Sequence, residues 1–255
     1  MILAMLIIGI LKVTVSIPPL VEPVKAIGGD SVEVVCIVRG DETPHTFSPG
    51  FKEMKEIANS AVLFYISNRL EMWIDKIANA MPKDAKSVEL CSVIDTTLEN
   101  PHIWLSVSIM ERMVEAIAHT LQSYLPEDYI QRNKEAYLEQ LSHLRRLIEG
   151  IRKGKLKALC IVPAFHHLLN ECNIENIGTV IPHPGTQPSL KHISTLINRA
   201  KQRGVNIILT SKQYPTPITE TVSKSIGIES IELEVVGRKD YIEFMIENLG
   251  KIKGK

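Results

Sequence analysis

From Tyr129 to Lys153 the chain contains no proline and no glycine before Gly150, while Tyr137, Leu141, Leu144, Leu147, Ile148 and Ile151 recur at spacings of three and four. An apolar stripe on so uninterrupted a run predicts one long amphipathic helix. At the helical rise it would extend ~35 Å. A helix of that length near the middle of 255 residues divides the chain into two flanking parts. No Gly/Ser-rich hinge accompanies it, so the expected connection is a stiff strut rather than a free tether.

The two flanks carry the same alternation. Strand-like runs at Val13–Ile17, Val32–Val38, Ala61–Ser67 and Val88–Val93 are separated by helical patterns that include Phe51–Ala58 and Leu70–Ala80. Beyond the long helix, runs at Leu156–Val162, Ile177–Ile181, Val205–Thr210 and Ile228–Val235 are separated by helical stretches beginning near His166, Ser189 and Thr216. Strands alternating with helices predict an α/β fold in which each lobe is a mostly parallel sheet flanked by helices. The expected division is an N-terminal lobe over 12–128, a connecting helix over 129–153, and a C-terminal lobe over 154–255.

Overall charge argues for neither a nucleic acid nor a strongly anionic surface as partner. Lysine plus arginine and aspartate plus glutamate each total 29, so nothing in the balance favours nucleic acid. Residues Met1 to Leu11 are all apolar or glycine, a run too short to span a bilayer. It lacks the basic start and small-residue cleavage site of a complete secretory signal. The expectation is the remnant of a truncated signal segment, with a buried first strand bearing an apolar extension as the competing reading. The four cysteines, Cys36, Cys91, Cys160 and Cys172, show no C-x-x-C spacing and read as small buried apolar residues. A Cys160–Cys172 bridge is conceivable in an oxidising compartment, but sequence cannot supply its geometry.

Two stretches, Thr43-Pro44-His45-Thr46-Phe47 and Asn100-Pro101-His102-Ile103-Trp104-Leu105, each place a histidine directly after a proline. Proline fixes its own φ and restricts the residue before it, so these imidazoles are presented from loops with reduced freedom. Ligands ordered in advance lose less entropy when an ion arrives. Both loops leave strands of the expected first lobe, where the carboxyl ends of parallel strands form a ligand crevice. Imidazole suits zinc, copper, iron and nickel, and an added carboxylate admits manganese. The competing reading of either histidine is a loop imidazole bonded to backbone or water.

These residues, taken with Val15-Ser16-Ile17-Pro18-Pro19-Leu20, Ile27-Gly28-Gly29-Asp30, Leu70-Glu71-Met72-Trp73, Gln187-Pro188-Ser189, Tyr241 to Met245 and Asn248-Leu249, resemble the metal-binding solute receptors of ABC importers, the cluster A-I or zinc-uptake receptor-like family. The likeness covers most of the chain. It implies two lobes joined by a rigid helix, with a zinc, manganese or iron ion buried between them on four side chains. His45 and His102 match the first two ligand positions. The third position, histidine or glutamate in the family, falls on Val162, which is a departure. His166, one helical turn on, is the expected substitute, with His167 and His183 as competitors. The fourth, acidic, position matches Glu234, with Asp240 as a competitor, and Ser211-Lys212 stands where some relatives have another carboxylate. The histidine-rich loop common in zinc receptors is missing.

The resemblance implies an extracytoplasmic receptor, in the periplasm or on the outer face of the cell membrane. It would bind a divalent transition metal ion, zinc or manganese foremost, and deliver it as a monomer to an ABC transporter permease. One alternative is a degenerate receptor that binds metal weakly or not at all. Another is a metal-dependent hydrolase or chelatase, against which stands the absence of H-E-x-x-H, G-x-S-x-G, Walker and G-x-G-x-x-G motifs.

Overall fold

In a computed structural model, residues 9–39, 42–77, 80–94, 100–183, 186–212, 217–237 and 240–255 are described. Met1–Ile8, the loop residues Gly40 and Asp41, the approach to Asn100 from Asp95 to Glu99, Pro184 and Gly185, and the expected helix start at Thr216 lie outside them.

Two compact units divide the chain. The first draws on Met1–Thr97, Glu111–Glu139 and Arg238–Tyr241; the second on Leu98–Met110, Gln140–Gly237 and Ile242–Lys255. The segment bearing His102 therefore groups with the second unit, although it follows the first unit's strands in the chain.

The first unit is built on β1 (Leu11–Val15), β2 (Val32–Cys36), β3 (Val62–Tyr65) and β4 (Lys86–Glu89), all parallel in the order β2-β1-β3-β4. Its helices are α1 (Val21–Gly28), α2 (Phe51–Ala58), and the single turns α3 (Ile74–Ile77) and α4 (Leu90–Val93). The central strands are covered on both faces, as in other parallel sheets: Val13, Thr14 and Val15 of β1 and Leu63 and Phe64 of β3 are fully buried. Two expectations are corrected here. The strand read as Val88–Val93 stops at Glu89, because Leu90–Val93 closes a helical turn. Of the helix read as Leu70–Ala80, only Ile74–Ile77 is α-helical among the described residues. The preceding residues instead fold as turns around Glu71, with Leu70 and Glu71 N–H groups bonded back to Ser67 O.

The helices α5 (Val107–Leu121) and α6 (Glu127–Arg152) follow. The latter is the long helix expected from the stripe; Tyr137, Leu141, Leu144, Ile148 and Ile151 are buried on one side, and Leu147 at its margin is half-buried. Its residues as far as Glu139 belong to the first unit and those from Gln140 to the second.

The second unit repeats the first sheet's arrangement. Strands β5 (Lys157–Cys160), β6 (Glu175–Thr179), β7 (Ile207–Ser211) and β8 (Ser230–Leu233) run parallel in the order β6-β5-β7-β8. They are flanked by α7 (His166–Glu171), α8 (Leu190–Arg203), α9 (Pro217–Ile226) and α10 (Tyr241–Lys253). Ser189 caps α8 by accepting from the His192 N–H, and Gly204 ends it in the left-handed conformation. In both sheets the strand order reverses beside the first strand, between β1 and β3 and between β5 and β7. Ligand crevices of parallel sheets open at such switch points, beyond the carboxyl ends of the strands. Among the described residues no helix is long and apolar enough to cross a membrane.

Candidate metal centre

In the first unit, the switch point is filled by a side chain of the protein itself. Glu71 is completely buried, and its carboxyl accepts from Ser16 Oγ at 2.5 Å, Ile66 N at 3.1 Å and Ser67 N at 2.9 Å. Ser16 follows β1, and Ile66 and Ser67 follow β3, so one carboxyl closes the gap between the two strand ends. Burial outweighs these donors and pushes the group up to about 7.

His45 lies in a turn closed by Thr46 N and Phe47 N, both donating to Thr43 O at 3.3 and 3.1 Å. Pro44 is buried, His45 half-buried, and the Phe47 ring meets Trp73 edge-on at 5.5 Å. Burial lowers the His45 pKa, which favours the neutral imidazole that binds metal.

In the second unit, His102 is 7% exposed and its ring stands 5.3 Å from that of Trp104. Asn100 holds it twice: Oδ1 accepts from the His102 backbone N–H at 3.0 Å and lies 2.8 Å from Nδ1. The Asn100 amide also donates to Pro163 O, and the Asn100 carbonyl lies 2.8 Å from His167 Nε2. Two residues further on, Trp104 Nε1 donates to Val235 O at 2.6 Å. These bonds draw the Asn100–Leu105 segment onto the second sheet. They explain why it packs there.

The second-unit residues expected to complete a ligand set have other partners. His166 is exposed, with Nε2 3.0 Å from the Asn170 amide. His167, its neighbour, is 5% exposed, and burial lowers its pKa. The two rings meet edge-on at 5.4 Å, so they do not converge on one point. Val162 and Ser211, beside the second switch point, are buried, and neither offers a carboxylate or imidazole. Glu234 lies just past β8 with its backbone gripped by Asn248 and its carboxylate 3.3 Å from Lys212 Nζ. Asp240 and His183 are exposed. Among the described residues, no three His, Cys, Asp or Glu side chains form a group able to hold a metal ion. Cys160 and Cys172 are separate buried thiols, which answers the disulfide question in the negative.

Sequence reasoning gave no role to Asn100, Glu71 or Asn248. Asn100 had a visible signal, since an Asx residue directly before a proline favours a side-chain-to-backbone turn. For Glu71 the signal was a lone acid flanked by Leu70 and Met72.

Residues 13–255 match the family model described as zinc-uptake complex component A, periplasmic, ZnuA. The chain belongs to this family. It is a family of solute-binding components rather than enzymes, which sets aside the hydrolase or chelatase alternative. The zinc-binding lipoprotein AdcA of Streptococcus pneumoniae is 22% identical over 280 residues, an overlap covering 96% of this chain and 56% of AdcA. The chain thus spans little more than half of that relative. The high-affinity zinc uptake system protein ZnuA of Bacillus subtilis is 22% identical over 276 residues, covering 95% of this chain and 86% of that one. A crystal structure of ZnuA matches with a TM-score of 0.86 at 26% identity, over 96% of this chain and 98% of that one. The fold is also that of FpvC from Pseudomonas aeruginosa in complex with Mn2+, with a TM-score of 0.84 at 24% identity, over 96% of this chain and 97% of FpvC.

Proposed function

We propose that the chain is an extracytoplasmic receptor that captures a divalent transition metal ion, zinc or manganese, and delivers it as a monomer to an ABC-type permease. The observation that carries this reading is the match of the zinc-uptake family model to residues 13–255. His45 in the first unit and His102 in the second head the ligand set. Both are Pro-His steps, and His102 is a mostly buried imidazole with its orientation set by Asn100. His166 and Glu234 join the set by exchanging Asn170 and Lys212 for the ion. Ligation requires neutral imidazole and ionised carboxylate, so acid releases the metal.

A second reading, a receptor that keeps the fold with weakened metal affinity, is favoured by Val162 and Ser211 at the second switch point and by the existing partners of His166 and Glu234. Calorimetric titration of the metal-free chain with zinc and with manganese separates the two. The receptor gives a one-to-one complex that His45→Ala and His102→Ala each abolish. The weakened receptor gives no heat at micromolar metal.

A further inference from the structure

The orientation of the Asn100 side-chain amide is fixed at both ends by groups that have no choice of role. A backbone N–H can only donate, so the atom 3.0 Å from His102 N is the amide oxygen. A backbone carbonyl can only accept, so the atom against Pro163 O is the amide nitrogen. The two constraints agree, which is the network test for an amide assignment. The 2.8 Å contact between that oxygen and His102 Nδ1 is then a hydrogen bond only if Nδ1 carries the proton. In the neutral ring the lone pair therefore sits on Nε2. On the other side of Asn100, the same logic makes His167 Nε2 a donor to the Asn100 carbonyl at 2.8 Å. His167 is thereby an anchor for the loop, standing at the start of α7, and its Nε2 is committed to that bond.

The geometry points to Asn100 as a positioning residue for metal capture. It holds His102 in the Nδ1–H tautomer, so that Nε2 is the nitrogen offered to a borderline divalent cation such as zinc, and it fastens the His102 loop to Pro163 and His167. This rests on the proposed reading of His102 as a ligand. Such partners of a ligating histidine fix ring orientation and raise its basicity, and losing one typically costs 10–100-fold in metal affinity. The four residues belong to one compact unit, so the arrangement is complete within it.

The test has one readout that needs no metal. Long-range 1H–15N correlation spectra of the metal-free chain at neutral pH, assigned with His102→Gln, report which ring nitrogen of His102 is protonated. The expected result is a protonated Nδ1 and a lone pair on Nε2. Asn100→Asp keeps the oxygen acceptor and with it this signature, whereas Asn100→Ala yields a mixture of tautomers. Zinc affinity should fall roughly 10–100-fold in Asn100→Ala, stay within a few-fold of wild type in Asn100→Asp, and show no further loss when Asn100→Ala is added to His102→Ala. An Nε2–H ring in the wild-type chain overturns the proposal, as does an Asn100→Ala chain that keeps tautomer and affinity, or one whose loss persists undiminished in the His102→Ala background. A wild-type chain that binds no zinc removes the receptor reading and the role given to Nε2 with it. A zinc-binding chain with the wrong tautomer removes the Asn100 proposal alone.

Discussion

Ser16 Oγ donates to Glu71 Oε1 at 2.5 Å, joining the end of one central strand to a carboxyl that has no exposure to solvent. The place where a parallel sheet ordinarily admits a ligand is thus occupied in the first unit by the protein's own glutamate. The buried carboxyl is pushed up to about 7 from an ordinary value of 4.5. Between these two values the unfolded chain releases the proton while the folded chain keeps it. The contribution of Glu71 to stability is therefore fully present below 4.5 and is lost as pH rises through about 7. Thermal unfolding of wild type and Glu71→Gln should show the wild type losing ground to the variant from pH 5 to pH 8. A difference between the two that does not change with pH would refute the assignment.

Removing the carboxyl altogether should be worse. Glu71→Leu leaves Ser16 Oγ and the Ile66 and Ser67 N–H groups without their acceptor in a dry site, at a cost of about 2–4 kcal/mol. Urea denaturation measures it directly, with Asn59→Ala on the exposed end of α2 as a control expected to change little.

Gly29 has φ +53, and a Cβ there would stand 2.1 Å from the Tyr129 hydroxyl of α6. Gly29→Ala combines backbone strain with that clash, and should destabilise by about 2–4 kcal/mol. The expected readout is a clear drop in melting temperature; a shift within error would show that Tyr129 swings aside at no cost.

Asn248 accepts from Glu234 N at 3.0 Å and donates to Glu234 O at 2.8 Å, while only 1% exposed. It serves both backbone groups just beyond β8, where the sheet no longer does. Asn248→Ala should cost about 2–3 kcal/mol in chemical denaturation. A neutral result would mean that solvent replaces both bonds freely.

Lys212 competes with any cation for Glu234, at 3.3 Å and with 58% of its own side chain exposed. Exposed pairs of this kind are worth about 0.2–1 kcal/mol. Lys212→Ala should accordingly tighten zinc binding by a few-fold if Glu234 is a ligand. Unchanged affinity in calorimetry would exclude Glu234 from the set.

Burial pushes the Cys160 and Cys172 thiols up to about 12, whereas Cys36 and Cys91 are half-exposed. A thiol reagent at pH 8 should label the native chain rapidly at Cys36 and Cys91 at most, and reach Cys160 and Cys172 only on unfolding. Rapid native labelling of either buried cysteine would contradict this packing.

Periodicity sufficed for the architecture because it reports burial directly. The stripe through Tyr137 and Ile151 specified α6, Phe51–Ala58 marked α2, and strand-like runs such as Val205–Thr210 marked central parallel strands. Where period and length were ambiguous, tertiary contacts decided: Leu90–Val93 turned from strand into helix, and the segment around Glu71 was taken from a helix to serve as a cap on two strand ends. Local chemistry in the sequence marked His45 and His102 as candidates, since a Pro-His step is a feature of adjacent residues. Partners remote in sequence are another matter. That Asn100 meets Pro163 and His167, that Trp104 meets Val235, and that Lys212 meets Glu234 follow from strand order and the packing of loops at strand ends. Two α/β lobes with a long helix between them were legible in the residue pattern, and His45 and His102 stood out in it as metal-ligand candidates. Which unit holds His102, and which distant groups fix the Asn100 amide beside its ring, emerge in the tertiary structure, because hydrogen-bond partners far apart along the chain leave no periodic trace in it.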